Sequence, residues 1–344
     1  MKKDDVATKR RYFAAANGFT GFRNYFPAVF DSAEYRRIFV LKGGPGTGKS
    51  SLMKKVCAKF PDGAYRTEAI FCSSDPDSLD GVIVEGKGGR VAVLDGTAPH
   101  ERDAVIPGAV DEIVNLKDAW DTGALEKRRA EIFSLTEEKA AQYRDAYRYL
   151  SAFGKTRKNS AAENEKCDLH AMREAIRSLI RREAGEGFIC RCRLIRAFGC
   201  RGEVMLPTFS SLAARTYLLR GSTAHKTRLL REAVGIFEEE NVPVTLAPSP
   251  FDPDVPDGIL AEAAGVALLS CGEDGILLDA NGFFDRRQED CEGDASLLTA
   301  AKESFLSASE THFALEKIYT AAMDFSVIDR KTERIIERIA DTVG

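Results

Sequence analysis

Short apolar runs alternate with amphipathic stretches along the first third of the chain. Residues 38–41, Ile-Phe-Val-Leu, are continuously apolar and bounded by charge, the pattern of a strand buried on both faces of a parallel sheet. Residues 50–60 carry Leu52, Val56 and Phe60 at helical spacing. Residues 69–72 and 91–94 are further apolar strands, and 111–116 read as another. Strands alternating with helices predict an α/β domain with a parallel, doubly wound sheet. From residue 123 to about 182 the pattern changes. Ile132, Leu135, Tyr143, Tyr147 and Leu150 fall mostly at three- and four-residue steps, which predicts one long amphipathic helix. A polar stretch around 155–165 interrupts it, and a second helix follows. Residues 295–343 give a similar helical region, so a helical hairpin is expected beside each of two sheets.

Two sheets are expected because the chain contains itself twice. Asp75-Pro-Asp-Ser-Leu-Asp-Gly returns as Asp252-Pro-Asp-Val-Pro-Asp-Gly, 177 positions on. Val40-Leu-Lys-Gly43 returns as Leu218-Leu-Arg-Gly221, 178 on, and Val91-Ala-Val-Leu94 as Val266-Ala-Leu-Leu269, 175 on. Near the N-terminus Asn17-Gly18 and Gly21 correspond to Phe198-Gly199 and Gly202, 181 on. Ordered matches at nearly constant offset indicate a tandem duplication with its boundary near Gly185 to Gly187. The halves are then residues 1–186, with a helical hairpin over about 123–182, and 187–344.

Composition narrows the function classes. At 344 residues, 44% hydrophobic and 30% charged, the chain has enough apolar material for well-filled cores under a polar surface. A net charge of −4 argues against a protein whose main task is coating nucleic acid. Arg173, Arg177, Arg181 and Arg182 do lie at helical spacing, followed by Arg191, Arg193, Arg196 and Arg201. Glu174, Glu183 and Glu186 dilute that stripe, and a solvated helix face is the favoured account. Eight scattered cysteines predict reduced thiols, not a disulfide framework, and the cluster of Cys190, Cys192 and Cys200 has no C-x-x-C pair, so no zinc site is expected there. The charged N-terminus is unlike a signal peptide and no long apolar stretch exists, so a cytoplasmic protein is expected.

Candidate chemistry begins directly after the first apolar strand. Gly43, Gly44, Pro45, Gly46, Thr47, Gly48, Lys49 and Ser50 fit G-x-x-x-x-G-K-[ST], a phosphate-binding P-loop. Glycines let backbone N–H groups close around phosphate oxygens, and the helix that follows adds the positive end of its dipole. Lys49 is expected on the β- and γ-phosphates and the Ser50 hydroxyl on Mg²⁺; Ser51 completes the expected nucleotide-binding set. Residues 90–95 supply the second metal ligand, four apolar residues and then Asp95 at a strand end. N-K-x-D is absent, so ATP is the expected nucleotide.

No Glu follows Asp95. His100 is the candidate general base, with Glu101 and Asp103 close in sequence; the alternative is a loop histidine with a structural hydrogen bond. Asp75 and Asp77 could hold a metal or a substrate hydroxyl. Their persistence in the second half, where the glycine loop degenerates, favours a turn. That second loop, Gly221-Ser-Thr-Ala-His225-Lys226-Thr227, is one residue short and has His225 in place of a required glycine. Ser270 stands where Asp95 would, so little or no ATP is expected there.

The strings Leu41-Lys-Gly-Gly-Pro-Gly-Thr-Gly-Lys-Ser50, Cys72-Ser-Ser-Asp-Pro-Asp-Ser-Leu-Asp-Gly81, Leu94-Asp-Gly-Thr-Ala-Pro-His100 and Pro107-Gly-Ala-Val-Asp-Glu-Ile113 resemble a bacterial, Firmicutes-type ATPase family with two tandem P-loop NTPase domains. The resemblance spans most of the chain and implies ATP binding on a P-loop fold. Members of that family tend to keep a second intact P-loop, and this sequence departs from them there. Three functions are compatible with the residues: an ATPase acting as a switch or motor, a small-molecule or nucleoside kinase using Asp75 and Asp77, and a non-catalytic ATP-gated scaffold.

Overall fold

The computed structural model describes residues 6, 8–157, 165–180, 187–286, 290 and 293–344. The first half opens with β1 (Arg10–Phe13), the hairpin strands β2 (Ala15–Gly18) and β3 (Gly21–Asn24), and the short helix α1 (Phe26–Val29). Then come β4 (Arg37–Lys42), α2 (Lys49–Lys59), β5 (Arg66–Phe71), β6 (Leu79–Gly86), β7 (Gly89–Asp95) and β8 (Asp111–Asn115). Helices α3 (Thr122–Lys127), α4 (Arg129–Thr156) and α5 (Leu169–Leu179) follow. The second half repeats this order. It has β9 (Cys190–Cys192), β10 (Arg196–Gly199), β11 (Gly202–Met205) and α6 (Thr208–Leu212). Next are β12 (Arg215–Arg220), α7 (Thr223–Glu239), β13 (Val244–Pro248), β14 (Pro256–Ala261), β15 (Val266–Leu269) and β16 (Ile276–Asp279). Two long helices, α8 (Ala295–Ala321) and α9 (Phe325–Val343), complete it.

Each half builds a six-stranded sheet, and the two orders are the same: β1-β5-β6-β7-β4-β8 and β9-β13-β14-β15-β12-β16. The sheets are mixed, which corrects the expectation of a parallel, doubly wound arrangement. β4 pairs parallel with β7 and β8, but β6 runs antiparallel to both β5 and β7. The reason is local. Only Lys87 and Gly88 separate β6 from β7, a two-residue hairpin connection, whereas a parallel pair needs a crossover of about a dozen residues.

The helices correct a second expectation. No hairpin forms between α4 and α5. Instead α4 lies antiparallel along α8, with Ala146 and Leu150 packed against Ala301 and Phe305 and the Thr156 hydroxyl at the Asp294 N-cap of α8. Helix α5 sends Met172 and Ile176 into the second half's core, beside Leu229, Leu230 and Phe237 of α7. Reciprocally, α9 buries Ile335, Ile339 and Val343 against Phe39, Leu52, Val56, Val82 and Val93 of the first half. The two halves have exchanged their last helices. Each amphipathic face matches the sheet of the other half, a feature that periodicity within one helix cannot report.

A pseudo-twofold axis relates the halves, and counterpart residues meet across it. Phe13 and Leu194 exchange both backbone hydrogen bonds, at 2.8 and 3.1 Å. Gly18 lies so close to the Pro250 carbonyl that a Cβ would stand 2.7 Å away, and its counterpart Gly199 meets the Ser73 carbonyl at 2.6 Å. The strands are buried on both faces. Phe39 and Leu41 face α2 and α9, while Ile38 and Val40 enter a core shared with Leu218, Leu260 and Leu269 of the second sheet. Arg193 crosses the same interface to Glu68 at 2.7 Å, both side chains buried. The halves form one continuous interior.

Candidate functional site

The glycine loop lies between α2 and β4, the strand between β7 and the edge strand β8. Gly46 and Gly48 adopt positive φ of 66° and 81°, left-handed conformations in which a Cβ would be strained. Gly48 is the N-cap of α2, and no side chain caps the first turn of that helix. Several N–H groups at this helix end are therefore free of side-chain partners. The Lys49 ammonium folds back into the loop, donating to the Gly43 and Gly44 carbonyls at 2.8 Å each, and stands 3.5 Å from Asp95. Asp95 ends β7, opposite Leu41 in the parallel ladder, so the sheet itself delivers lysine and carboxylate to one edge. Its other oxygen accepts from the Thr97 N–H at 2.9 Å. The Ser50 hydroxyl accepts from Leu79 N–H at 2.9 Å. Thr47 closes the loop internally by donating to the Gly44 carbonyl, and Pro45 is half-buried within it. Ser51 is exposed on the outside of α2.

One residue at this site was not visible in the sequence. Glu316, on α8 of the second half, accepts from the Gly46 N–H at 3.2 Å, and Thr320 donates to the Gly46 carbonyl at 3.3 Å. Tyr319 and Trp120 stand against Gly44. A hydrogen bond with His312 holds the Glu316 carboxyl below its usual range; burial opposes this, and Gly46 and Lys49 add to it. A carboxylate thus already accepts from one of the loop's backbone N–H groups. Glu316 lies 270 residues from Gly46, on a helix of the other half, so no local signal could have paired them.

His100 is brought to the same edge but is not left facing water. It is buried, stacked on Phe26 at 4.8 Å between ring centroids, with Nε2 3.0 Å from Asp80. Burial works against its protonation, yet the carboxylate of Asp80 outweighs this and raises its pKa. Asp75 and Asp77 are used architecturally. Asp75 accepts from the Ser78 hydroxyl at 2.7 Å and from the Asp77 N–H, and Asp77 is ion-paired with Arg201 of the second half. The basic stripe is likewise engaged inside the protein. Arg173 pairs with Glu232 and Glu239, Arg177 with Glu174 and Glu239, Arg191 with Glu34, and Arg196 with Asp257. Arg181, Arg182 and Cys291 lie outside the described residues. The seven described cysteines are all free thiols.

The second half shows what the same place becomes without its glycines. There α7 begins three residues before Lys226, and only Gly221 and Ser222 separate it from β12. The Ser222 side chain caps α7 by accepting from His225 N–H at 3.2 Å, and Asp290 accepts from Thr223 N–H at 2.8 Å. His225 is fully buried between Asn281 and Glu165, its ring stacked 3.7 Å over Phe284. Lys226 donates to the Ser270 carbonyl, and a cavity of ≈ 250 Å³ remains beside it, lined by Arg157, Arg196 and Thr227. That is smaller than the roughly 300–1,000 Å³ of small-molecule sites.

The first half therefore presents a strand–glycine loop–helix unit with an uncapped helix end, an inserted lysine and a neighbouring carboxylate. Compared with protein-family models, curated proteins and solved structures, the chain matches none. Among the described residues no helix is long and apolar enough to cross a membrane.

Proposed function

We propose that residues 43–50 are a P-loop that binds Mg-ATP, and that the protein is an ATPase of the switch type with a single working site. The supporting observation is the contrast between the halves. One topology, built twice, keeps an uncapped helix end and a glycine loop in the first half. In the second half Ser222 and Asp290 have closed that helix end. The residues fit the group. The backbone N–H groups around Gly46 and Gly48 would take phosphate oxygens, and Lys49 would turn from the Gly43 and Gly44 carbonyls to neutralise them. Ser50 and Asp95 are the hydroxyl and carboxylate that would hold Mg²⁺. Magnesium supplies charge neutralisation on the phosphates when bound.

Glu316 makes binding a conformational event. Phosphate and Glu316 are both anions competing for the Gly46 N–H, so nucleotide entry displaces α8, and with it the paired α4. This favours a switch over a kinase, for which Asp75 and Asp77 would have to leave their turn and their arginine. Such a protein would work in the cytoplasm, where Mg-ATP is abundant.

The test is phosphate release from Mg-ATP by the wild type, Lys49→Ala and Lys226→Ala. Turnover lost only in Lys49→Ala is the expected result. A wild type that neither turns over nor binds ATP would end the proposal.

A further inference from the structure

The second site is next to the loop but independent of it. Cys72 follows β5, Asp80 is the second residue of β6, and His100 lies five positions beyond the end of β7. Because β6 runs antiparallel to its neighbours, its first residues meet the chain just past the ends of β5 and β7. The Cys72 thiol, an Asp80 carboxylate oxygen and a His100 ring nitrogen lie within 4.8 Å of one another. Asp80 and His100 are both more than nine-tenths buried. Asp80 Oδ2 is 3.0 Å from His100 Nε2, yet it has no partner in hydrogen-bond geometry. The two groups are close without being aligned on each other.

The duplication shows what this place requires. The bulged pairing of β5 with β6 recurs in β13 with β14, so Asp80 corresponds to Asp257 and Cys72 to Ser249. In the second half Arg196 lies between those two. It donates to both oxygens of Asp257, at 2.8 and 2.5 Å, and to the Ser249 hydroxyl at 3.2 Å. Arg196 opens β10; the corresponding residue, which opens β2, is Ala15. A buried carboxylate needs a compensating cation. The second half carries one on a side chain. The first half has a methyl group there, with a thiol, a carboxylate and an imidazole gathered within 4.8 Å of one another.

From this juxtaposition we infer that Cys72, Asp80 and His100 bind a zinc-class divalent cation in the place that Arg196 takes in the second half. The donor set selects the metal class. Thiolate and imidazole suit Zn²⁺ and Co²⁺, whereas Mg²⁺ prefers oxygen alone. Tetrahedral bonds of about 2.0–2.3 Å separate ligand atoms by roughly 3.3–3.7 Å, so the 3.0 Å approach of Asp80 to His100 must open slightly while the thiol draws in. Three protein ligands leave a fourth position for water. On binding, the metal–sulfur bond replaces the thiol S–H bond and the proton passes to buffer. The ion would tie the segment after Asp95 to the β5–β6 edge, and this inference does not rest on the nucleotide reading.

Co²⁺ titration of the metal-free full chain, without nucleotide, tests it. The expected result is saturation at one equivalent, with a near-ultraviolet thiolate-to-cobalt charge-transfer band that Zn²⁺ abolishes. Cys72→Ser, an isosteric change whose fold is checked by its melting curve, should lose the band and weaken Co²⁺ binding at least tenfold. Cys190→Ser, at an exposed thiol, should keep both. Absence of the band in the wild type, or its survival in Cys72→Ser, overturns the inference. Lys49→Ala should leave the titration unchanged, so failure of the nucleotide site and failure of this one are told apart.

Discussion

Lys49, Asp95 and Glu316 meet at the loop from three different parts of the chain, and they differ in how far sequence could place them. The glycine spacing places Lys49 at the loop between β4 and α2 because the backbone geometry of that loop is local. Asp95 is legible because an apolar strand ends in it. Glu316 is not, since its place depends on how α8 of the other half packs against the loop. His100 is an intermediate case: its place near the loop could be read, but its burial against Phe26 and its approach to Asp80 depend on packing. At this scale the prediction concerns competition. Removing the carboxylate in Glu316→Ala frees the Gly46 N–H and the positive field of Lys49, and ATP should bind about tenfold more tightly, ~1.4 kcal/mol. Nucleotide titration against the wild type measures this; equal or weaker affinity would show that Glu316 does not compete.

Elements divide in the same way. Strands β4, β5 and β7 are readable as apolar runs because residues 38–41, 69–71 and 91–94 within them are buried on both faces and wholly apolar. Strand β6 was missed because its first residues look like a continuation of the Asp75 turn. The hairpin glycines that join it to β7 were then not recognised as a connection too short for parallel strands. Helices were found where amphipathic spacing is strong, but a stripe of Ile and Val does not specify which sheet it covers. Helix α9 shows the consequence. Ile339 is fully buried among first-half residues. Ile339→Ala should cost about 2–5 kcal/mol and lower the urea midpoint seen by first-half probes as well as second-half ones, although the residue lies in the second. A change confined to second-half probes would contradict the exchange.

At the scale of the whole molecule, the halves share an interior and should unfold as one unit. The buried Glu68–Arg193 pair spans them. Burial alone would raise the Glu68 pKa, but Arg193 and Arg90 hold it at about 2, below its ordinary 4.5. A lowered carboxyl pKa stabilises the fold fully above about 4.5, and the contribution is lost as pH falls towards about 2. The loss should be on the order of 2–4 kcal/mol. Denaturant midpoints followed from pH 7 downward should show it, and Glu68→Gln should flatten the acid limb while lowering stability at neutral pH, because Arg193 is left buried without its partner. An unaltered acid limb in that variant would remove Glu68 as its cause. The exchanged helices also order events in time. A ribosome emits the glycine loop and its sheet early, but the helix that seals their apolar face emerges only with residues 325–343. During synthesis, the first half must therefore wait, its hydrophobic side open to chaperones, until residues 325–343 have been made.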